Sequence, residues 1–312
     1  MTYRDRRVLV TGAAGFIASY LIPALLDRGT SVVAFDLARD PSYLRPVLDK
    51  ITYVQGDLAS GPDLYRAMMR YGITDVFHLG AILAGPCDED PVRAYQINVQ
   101  STLTLLDAAV ALAARRFVMV SSIAVFGKGA PEPVRDDAIK DPANMYGQTK
   151  LASEQLLTWY ARRRGLDCRA VRFAWVFGPG RKTGITALYS SLLLDSIALG
   201  RPVNVVNPDE RGDWLYVKDA VKALLLAWET EVAPQRIYNI AGGVHAVRDV
   251  VEIARRVRPD AAVTYAAASA AASPYPASYD DGPARRELGW RPDYAIDDAV
   301  REHLETVASH GA

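Results

Sequence analysis

The feature that most constrains this chain is a rhythm. Short runs rich in β-branched and aromatic residues, at 7–10, 31–36, 51–55, 75–79, 116–121 and 169–173, alternate with stretches of helical periodicity. Strands joined through helices pair in parallel, and strands that are apolar nearly throughout must be covered on both faces. The expected fold is therefore α/β, a doubly wound parallel sheet. After Phe173 the rhythm loosens into Gly178-Pro179-Gly180, a helix over 185–199, a short strand at 203–206 and turns around Pro208 and Gly212. A run at 236–240 reads as a strand returning to the main sheet, and the Ala/Ser/Pro-rich stretch 261–277 as a loop. These signals divide the chain into a main unit, 1–174 and 214–245, and a smaller C-terminal α/β lobe, 175–213 and 246–312.

At 312 residues the chain is long enough for such a pair of units. Its 36 basic and 36 acidic side chains balance, which removes the usual attraction to a phosphate backbone and points to a small-molecule partner rather than nucleic acid. Cys87 and Cys168 are the two cysteines; they exclude a disulfide framework and fit a reducing cytoplasm. The four histidines lie scattered with no zinc-type spacing, so no metal is expected. No apolar run reaches the length of a bilayer span or of a signal peptide's core.

The first strand runs into Thr11-Gly12-Ala13-Ala14-Gly15-Phe16-Ile17-Ala18 and then into an apolar helix. Glycine permits φ > 0 and lets main chain approach a pyrophosphate, whose charge is favoured at a helix N-terminus. About twenty residues on, Asp36 ends the second strand. A carboxylate there accepts both adenosine ribose hydroxyls and repels a 2′-phosphate, so NAD is expected over NADP, although Arg39 lies nearby. Asp57, followed by Leu58, reads either as a contact to adenine or as a turn.

Tyr146 and Lys150 stand four residues apart at the start of a helix and so share a face. A tyrosine has a pKa of about 10; a neighbouring ammonium stabilises its phenolate and suits it to proton transfer. Ser121-Ser122 end the fifth strand, at the sheet edge where open α/β sheets bind ligands, and a hydroxyl there can hold a substrate oxygen.

Taken in order, these motifs, with His78-Leu79-Gly80-Ala81, Asn98 through Thr102, Val125-Phe126-Gly127, Arg172 with Phe177-Gly178-Pro179, and Leu288-Gly289-Trp290-Arg291-Pro292, give a chain that resembles the extended short-chain dehydrogenases/reductases, the NAD-dependent epimerase/dehydratase branch. The resemblance implies a Rossmann-like fold, Ser122 as the catalytic hydroxyl with Ser121 as fallback, Tyr146 as acid/base, and Lys150 as phenolate stabiliser and nicotinamide-ribose ligand. It implies further that Leu79, Gly80 and Ala81 line the cofactor and that Asn98 sits beside the nicotinamide, a buried helix-stabilising role for Asn98 being the alternative.

The same resemblance narrows the reaction. Dehydratases of this type carry an acidic pair after the hydroxyl residue; here Ile123 and Ala124 stand there. Nucleotide-sugar relatives anchor a diphosphate with an asparagine where this chain has Trp175, and with an arginine where it has Gly212, with Arg211 adjacent. The expectation is an NAD-dependent dehydrogenase acting on a secondary alcohol of a small sugar, sugar acid or polyol, with Trp175, Arg181, Lys182 and Arg211 as candidate substrate contacts. A nucleotide-sugar epimerase and a non-catalytic dinucleotide sensor are the alternatives. Apolar stripes at Leu103, Leu106 and Val110, and at Leu151, Leu156 and Leu157, suggest either a homodimer through two helices, as resemblance implies, or burial within one chain.

Overall fold

The computed structural model describes residues 3–266 and 273–311. The first six strands are β1 (Arg7–Thr11), β2 (Ser31–Asp36), β3 (Thr52–Gln55), β4 (Asp75–His78), β5 (Arg116–Ser122) and β6 (Cys168–Phe173), each within a residue of its expected ends. The chain continues through β7 (Trp175–Phe177), β8 (Val203–Val205), β9 (Arg211–Tyr216), β10 (Ile237–Ile240), β11 (Val244–Ala246) and β12 (Val263–Tyr265).

Among the described residues, seven strands form one sheet in the order β10-β6-β5-β4-β1-β2-β3, every pairing parallel. Side chains alternate across a strand, so both faces must be apolar and both must be covered. Val8 and Val10 enter one core cluster while Leu9 enters the other, and Val118 and Val120 are likewise separated from Phe117 and Met119. Each such side chain, fully buried, contributes about 1.5–3 kcal/mol. The strand order runs outward in opposite directions from the β1/β4 boundary, which opens a crevice at the carboxyl ends of the strands. The fold is the doubly wound, Rossmann-like sheet that was expected.

Beyond the main sheet, β7, β9 and β11 make a three-stranded sheet in the order β11-β9-β7, and β8 pairs in parallel with β12. Three details differ from expectation. The helix expected over 185–199 is divided into a turn at Ile185–Ala187 and a helix at Ser191–Ala198. Its hydroxyls bind elsewhere: Ser190 donates to the Thr186 carbonyl at 2.7 Å, and Ser191 accepts the Gly178 N–H at 3.1 Å. Part of the loop expected over 261–277 is strand β12, because Val263-Thr264-Tyr265 finds the free edge of β8; residues 267–272 lie outside the described residues. Strand β9 runs across 213/214, where the two units were expected to divide.

The helical stripes pack largely onto the chain's own core. Leu106 and Leu157 are fully buried, and Leu103, Val110 and Leu156 are partly buried against the same cluster. Among the described residues, no helix is long and apolar enough to cross a membrane, and no group of three His, Cys, Asp or Glu side chains is placed to hold a metal.

Candidate active site

A cleft of about 490 Å³ lies along the carboxyl ends of β1 to β6. One end is made of main chain. Gly12, directly after β1, has φ +66°, and a Cβ there would sit 2.6 Å from the Cα and N of Gly80. Only glycine fits a left-handed residue pressed against another backbone. Gly15 then caps the helix Phe16–Leu26, whose N-terminal peptide dipoles are oriented to favour an anion. Gly12, Gly15, Phe16 and Ile17 all line the cleft.

Asp36, at the end of β2, also lines it. Its carboxylate is fixed by two main-chain donors, Ala14 N at 3.0 Å and Ala38 N at 2.9 Å. Ala14, expected as a cofactor contact, is not among the residues lining the cleft; its N–H donates to Asp36. Leu37, Asp57 and Leu58 continue this wall, with Asp57 also accepting the Ala59 N–H at 2.9 Å. Arg39 is exposed and not part of the lining. A main-chain cradle that a Cβ would fill, next to an oriented carboxylate, fits NAD, and a 2′-phosphate would meet the like charge of Asp36 here.

Leu79, Gly80 and Ala81 form the facing wall. They are held from β1: Leu79 N donates to Thr11 O at 3.3 Å and Gly80 N to Thr11 Oγ1 at 3.3 Å. Thr11 Oγ1 in turn shares a 2.7 Å hydrogen bond with His78, whose imidazole burial pushes down to about 3 and so keeps neutral. Asn98 does not line the cleft. Its amide accepts from Ile82 N at 2.8 Å and donates to Ile82 O and Thr149 Oγ1, both at 3.0 Å. It ties the wall after β4 to the helix that carries Tyr146, the structural alternative weighed for it.

That helix, Met145–Arg164, begins at Asn144, whose side chain accepts the Gly147 N–H at 2.9 Å. Gly147 is needed for packing, since a Cβ there would overlap the Ala124 carbonyl. The first helical turn therefore sits directly on the turn Ile123–Val125, which follows Ser122, and this contact brings phenol and serine together. Ser122 accepts the Ala124 N–H at 3.1 Å and stands close enough to the Tyr146 phenol to pull its pKa down. Ser121 instead donates to Glu154 at 2.6 Å, and Glu154 is clamped by Arg172 at 2.8 Å. Of the two serines, Ser122 is the one beside the phenol.

Lys150 is buried, with Nζ 2.9 Å from the Val120 carbonyl and 5.7 Å from the centre of the Tyr146 ring. Burial pushes this ammonium down to about 8. Tyr146 departs from expectation: burial pushes the phenol well above its usual value, and Ser122 and the Arg181 charge only partly offset this. The lysine's proton is directed at a carbonyl, so the protein's own groups leave Tyr146 protonated at neutral pH.

The other end of the cleft is made of side chains. Trp175 and Arg181 line it as expected; Arg211 and Lys182 do not. Arg211 is exposed on β9 where that strand pairs with Ala246, and Lys182 lies over the Tyr43 ring at 5.6 Å. Trp175 lies against Gly212, where a Cβ would be 2.6 Å from the indole, and stacks on Tyr189. Thr186 and Tyr275 also line this end. Sequence reasoning missed both, because neither sits in a motif and Tyr275 lies within the Ala/Ser/Pro-rich stretch read as a loop. Tyr275 accepts from the Asn144 amide at 2.7 Å, which leaves its own O–H free to donate.

Residues 8–241 match the model of the NAD dependent epimerase/dehydratase family. The mitochondrial L-threonine 3-dehydrogenase of Sus scrofa is 26% identical over 314 residues, spanning 97% of this chain and 83% of that protein. A UDP-glucose 4-epimerase of Corynebacterium glutamicum is 28% identical over 303 residues, 92% of this chain and 91% of that one. The structure of L-threonine 3-dehydrogenase from Trypanosoma brucei superposes with a TM-score of 0.89 at 28% identity, covering 98% of each chain. This chain belongs to the NAD-dependent epimerase/dehydratase family and is an NAD-dependent enzyme of the short-chain dehydrogenase/reductase superfamily.

Proposed function

We propose that the protein is a dehydrogenase that oxidises a secondary alcohol of a small sugar, sugar acid or polyol. The observation that carries this reading is the grouping of Ser122, Tyr146 and Lys150, its Nζ 5.7 Å from the centre of the phenol ring, along a cleft whose main-chain end fits the adenosine half of NAD. In this reading Ser122 holds the substrate oxygen and Tyr146, once ionised, takes the alcohol proton. NAD, when bound, supplies the hydride acceptor. Lys150 stays within reach of the phenol ring and favours the ionised form as the proton moves. Residues 1–174 and 214–245 carry the cofactor, and 175–213 and 246–312 close the substrate end.

Two features favour this over other outcomes in the family. Ile123 and Ala124, both buried and apolar, stand where water elimination requires acids. The Trp175 indole, seated on Gly212, occupies space at the substrate end and supports a small substrate over a nucleotide sugar.

The test is purified protein with NAD and a panel of polyols, aldonates and uronates. The expected result is net NADH with at least one of them. Interconversion of UDP-sugars without net NADH would replace this reading with an epimerase; NAD binding with neither activity would replace it with a sensor.

A further inference from the structure

We infer that Tyr20 and Tyr43 are positioning residues: from two elements of the cofactor end, their hydroxyls hold the loop at the other end of the cleft, so that bound NAD fixes that loop. The coupling goes beyond the dehydrogenase reading and needs only NAD as ligand, so the two can fail separately.

The loop runs over 178–184, between β7 and the turn Ile185–Ala187, and Arg181, Thr183 and Gly184 in it line the cleft. Much of its bonding is internal: the Arg181 guanidinium folds back onto the carbonyls of Val176 and Thr183. Two consecutive carbonyls, those of Pro179 and Gly180, receive no main-chain N–H among the described residues. Each is met instead by a phenol from far along the chain. The Tyr20 hydroxyl donates to the Pro179 carbonyl at 3.0 Å, and the Tyr43 hydroxyl to the Gly180 carbonyl at 2.6 Å. Gly180, at φ +91°, admits this approach, since a Cβ there would lie 3.3 Å from the Tyr43 ring. Neither tyrosine lines the cleft itself.

Both are rooted beside groups that do. Tyr20 lies one turn past Phe16 in the helix Phe16–Leu26, and the two rings meet edge-on with centroids 5.8 Å apart. Phe16 lines the cleft and also reaches the loop, where a Cβ on Gly178 would come to 3.3 Å from its ring. Tyr43 stands at the start of the 3₁₀ segment Ser42–Lys50. That segment follows Leu37, which lines the cleft, and Ala38, whose N–H holds the Asp36 carboxylate. A dinucleotide that immobilises Phe16 and Asp36 therefore immobilises the roots of both phenols, and through them two successive peptide groups of the opposite wall. Such coupling is reciprocal, so whatever this loop holds should bind the NAD-loaded protein more tightly than the free protein.

The experiment is amide hydrogen exchange of the full chain, read by mass spectrometry with and without NAD, in the wild type, Tyr20→Phe, Tyr43→Phe and the double variant. Phenylalanine keeps both rings, and with them the Phe16 edge contact and the Lys182 contact over residue 43, and removes only the donors. In the wild type, NAD is expected to slow exchange over 178–184 as well as over 12–17. Each single variant should lose part of the protection over 178–184 and the double variant nearly all of it. Protection over 12–17 should persist, with the NAD Kd within about threefold of wild type. For any alcohol that yields NADH, KM should rise by roughly 2- to 10-fold per hydroxyl removed while kcat is kept, a split that general loss of structure would not give. Full protection over 178–184 in the double variant would mean that the cofactor reaches the loop directly, and none in the wild type that the two ends are independent; either overturns the inference. A loss of NAD affinity of about tenfold or more in a single variant would place the phenols in the cofactor site and overturn it as well. Should the double variant fail to fold, the graded loss in the two single variants decides. Should no alcohol yield NADH, the dehydrogenase reading falls by itself and the exchange data still decide the coupling.

Discussion

At the cofactor end of the cleft the wall is largely main chain, drawn from the ends of three strands adjacent in the sheet: Gly12 after β1 and Gly80 after β4, with the Asp36 carboxylate at the end of β2. At the substrate end it is side chains, Trp175, Arg181, Thr186 and Tyr275, carried on a three-residue strand, a loop and a distant C-terminal segment. The first end recognises groups common to every dinucleotide and is built into the sheet's own geometry. The second is made of side chains that lie outside the main sheet.

Tyr146 stands where the two ends meet, and its loss should have the largest effect. Tyr146→Phe removes the proposed proton acceptor and should lower kcat by about 10²- to 10⁴-fold with NAD still binding. The same phenol sets the pH profile. Because burial raises its pKa, the base form is scarce at neutrality; wild-type oxidation should climb with pH through the neutral and alkaline range, approaching about tenfold per unit. A profile already flat at neutral pH would mean that the phenol is not the titrating base.

Gly12→Ala attacks the main-chain end alone. A left-handed alanine costs about 1–2 kcal/mol, and the added methyl would meet Gly80. NAD affinity should fall by about tenfold or more, read by fluorescence titration, together with a lower Tm. Unchanged NAD binding would show that this wall is not set by backbone approach.

Asp36→Asn should act least. The amide keeps one acceptor for the ribose but loses the charge, so NAD affinity should drop by a few fold, about 1 kcal/mol or less, and the gap to NADP should narrow. An unaltered NAD:NADP ratio would remove Asp36 from the basis of cofactor choice.

The same contrast explains what could be read from residues alone. Central parallel strands are apolar on both faces and announce themselves, and the cofactor turn is a contiguous motif, so both were legible. Strands β7 and β11, at three residues each, are too short to show a period, and the sheet they form with β9 was not anticipated. Arg181 and Arg211 look alike in sequence; one lies in the cleft wall and the other faces solvent, a difference decided by tertiary position. Ser121 and Ser122 were ranked by resemblance alone, and the structure distinguishes them by their partners, Glu154 for Ser121 and Ala124 N with the Tyr146 phenol for Ser122. Asn98 and Ala14 matched cofactor motifs; the structure adds that Asn98 hydrogen-bonds the Ile82 main chain and that the Ala14 N–H donates to Asp36.

The seating of Trp175 on Gly212 has a consequence for how this enzyme can change. The indole can exist only while position 212 has no side chain, and a bare 212 has its surface covered only while the indole is present. Neither site is therefore free to drift by itself. A route to bulkier alcohols must exchange both residues in concert, and partial exchanges would pass through either a steric collision or an uncovered hollow.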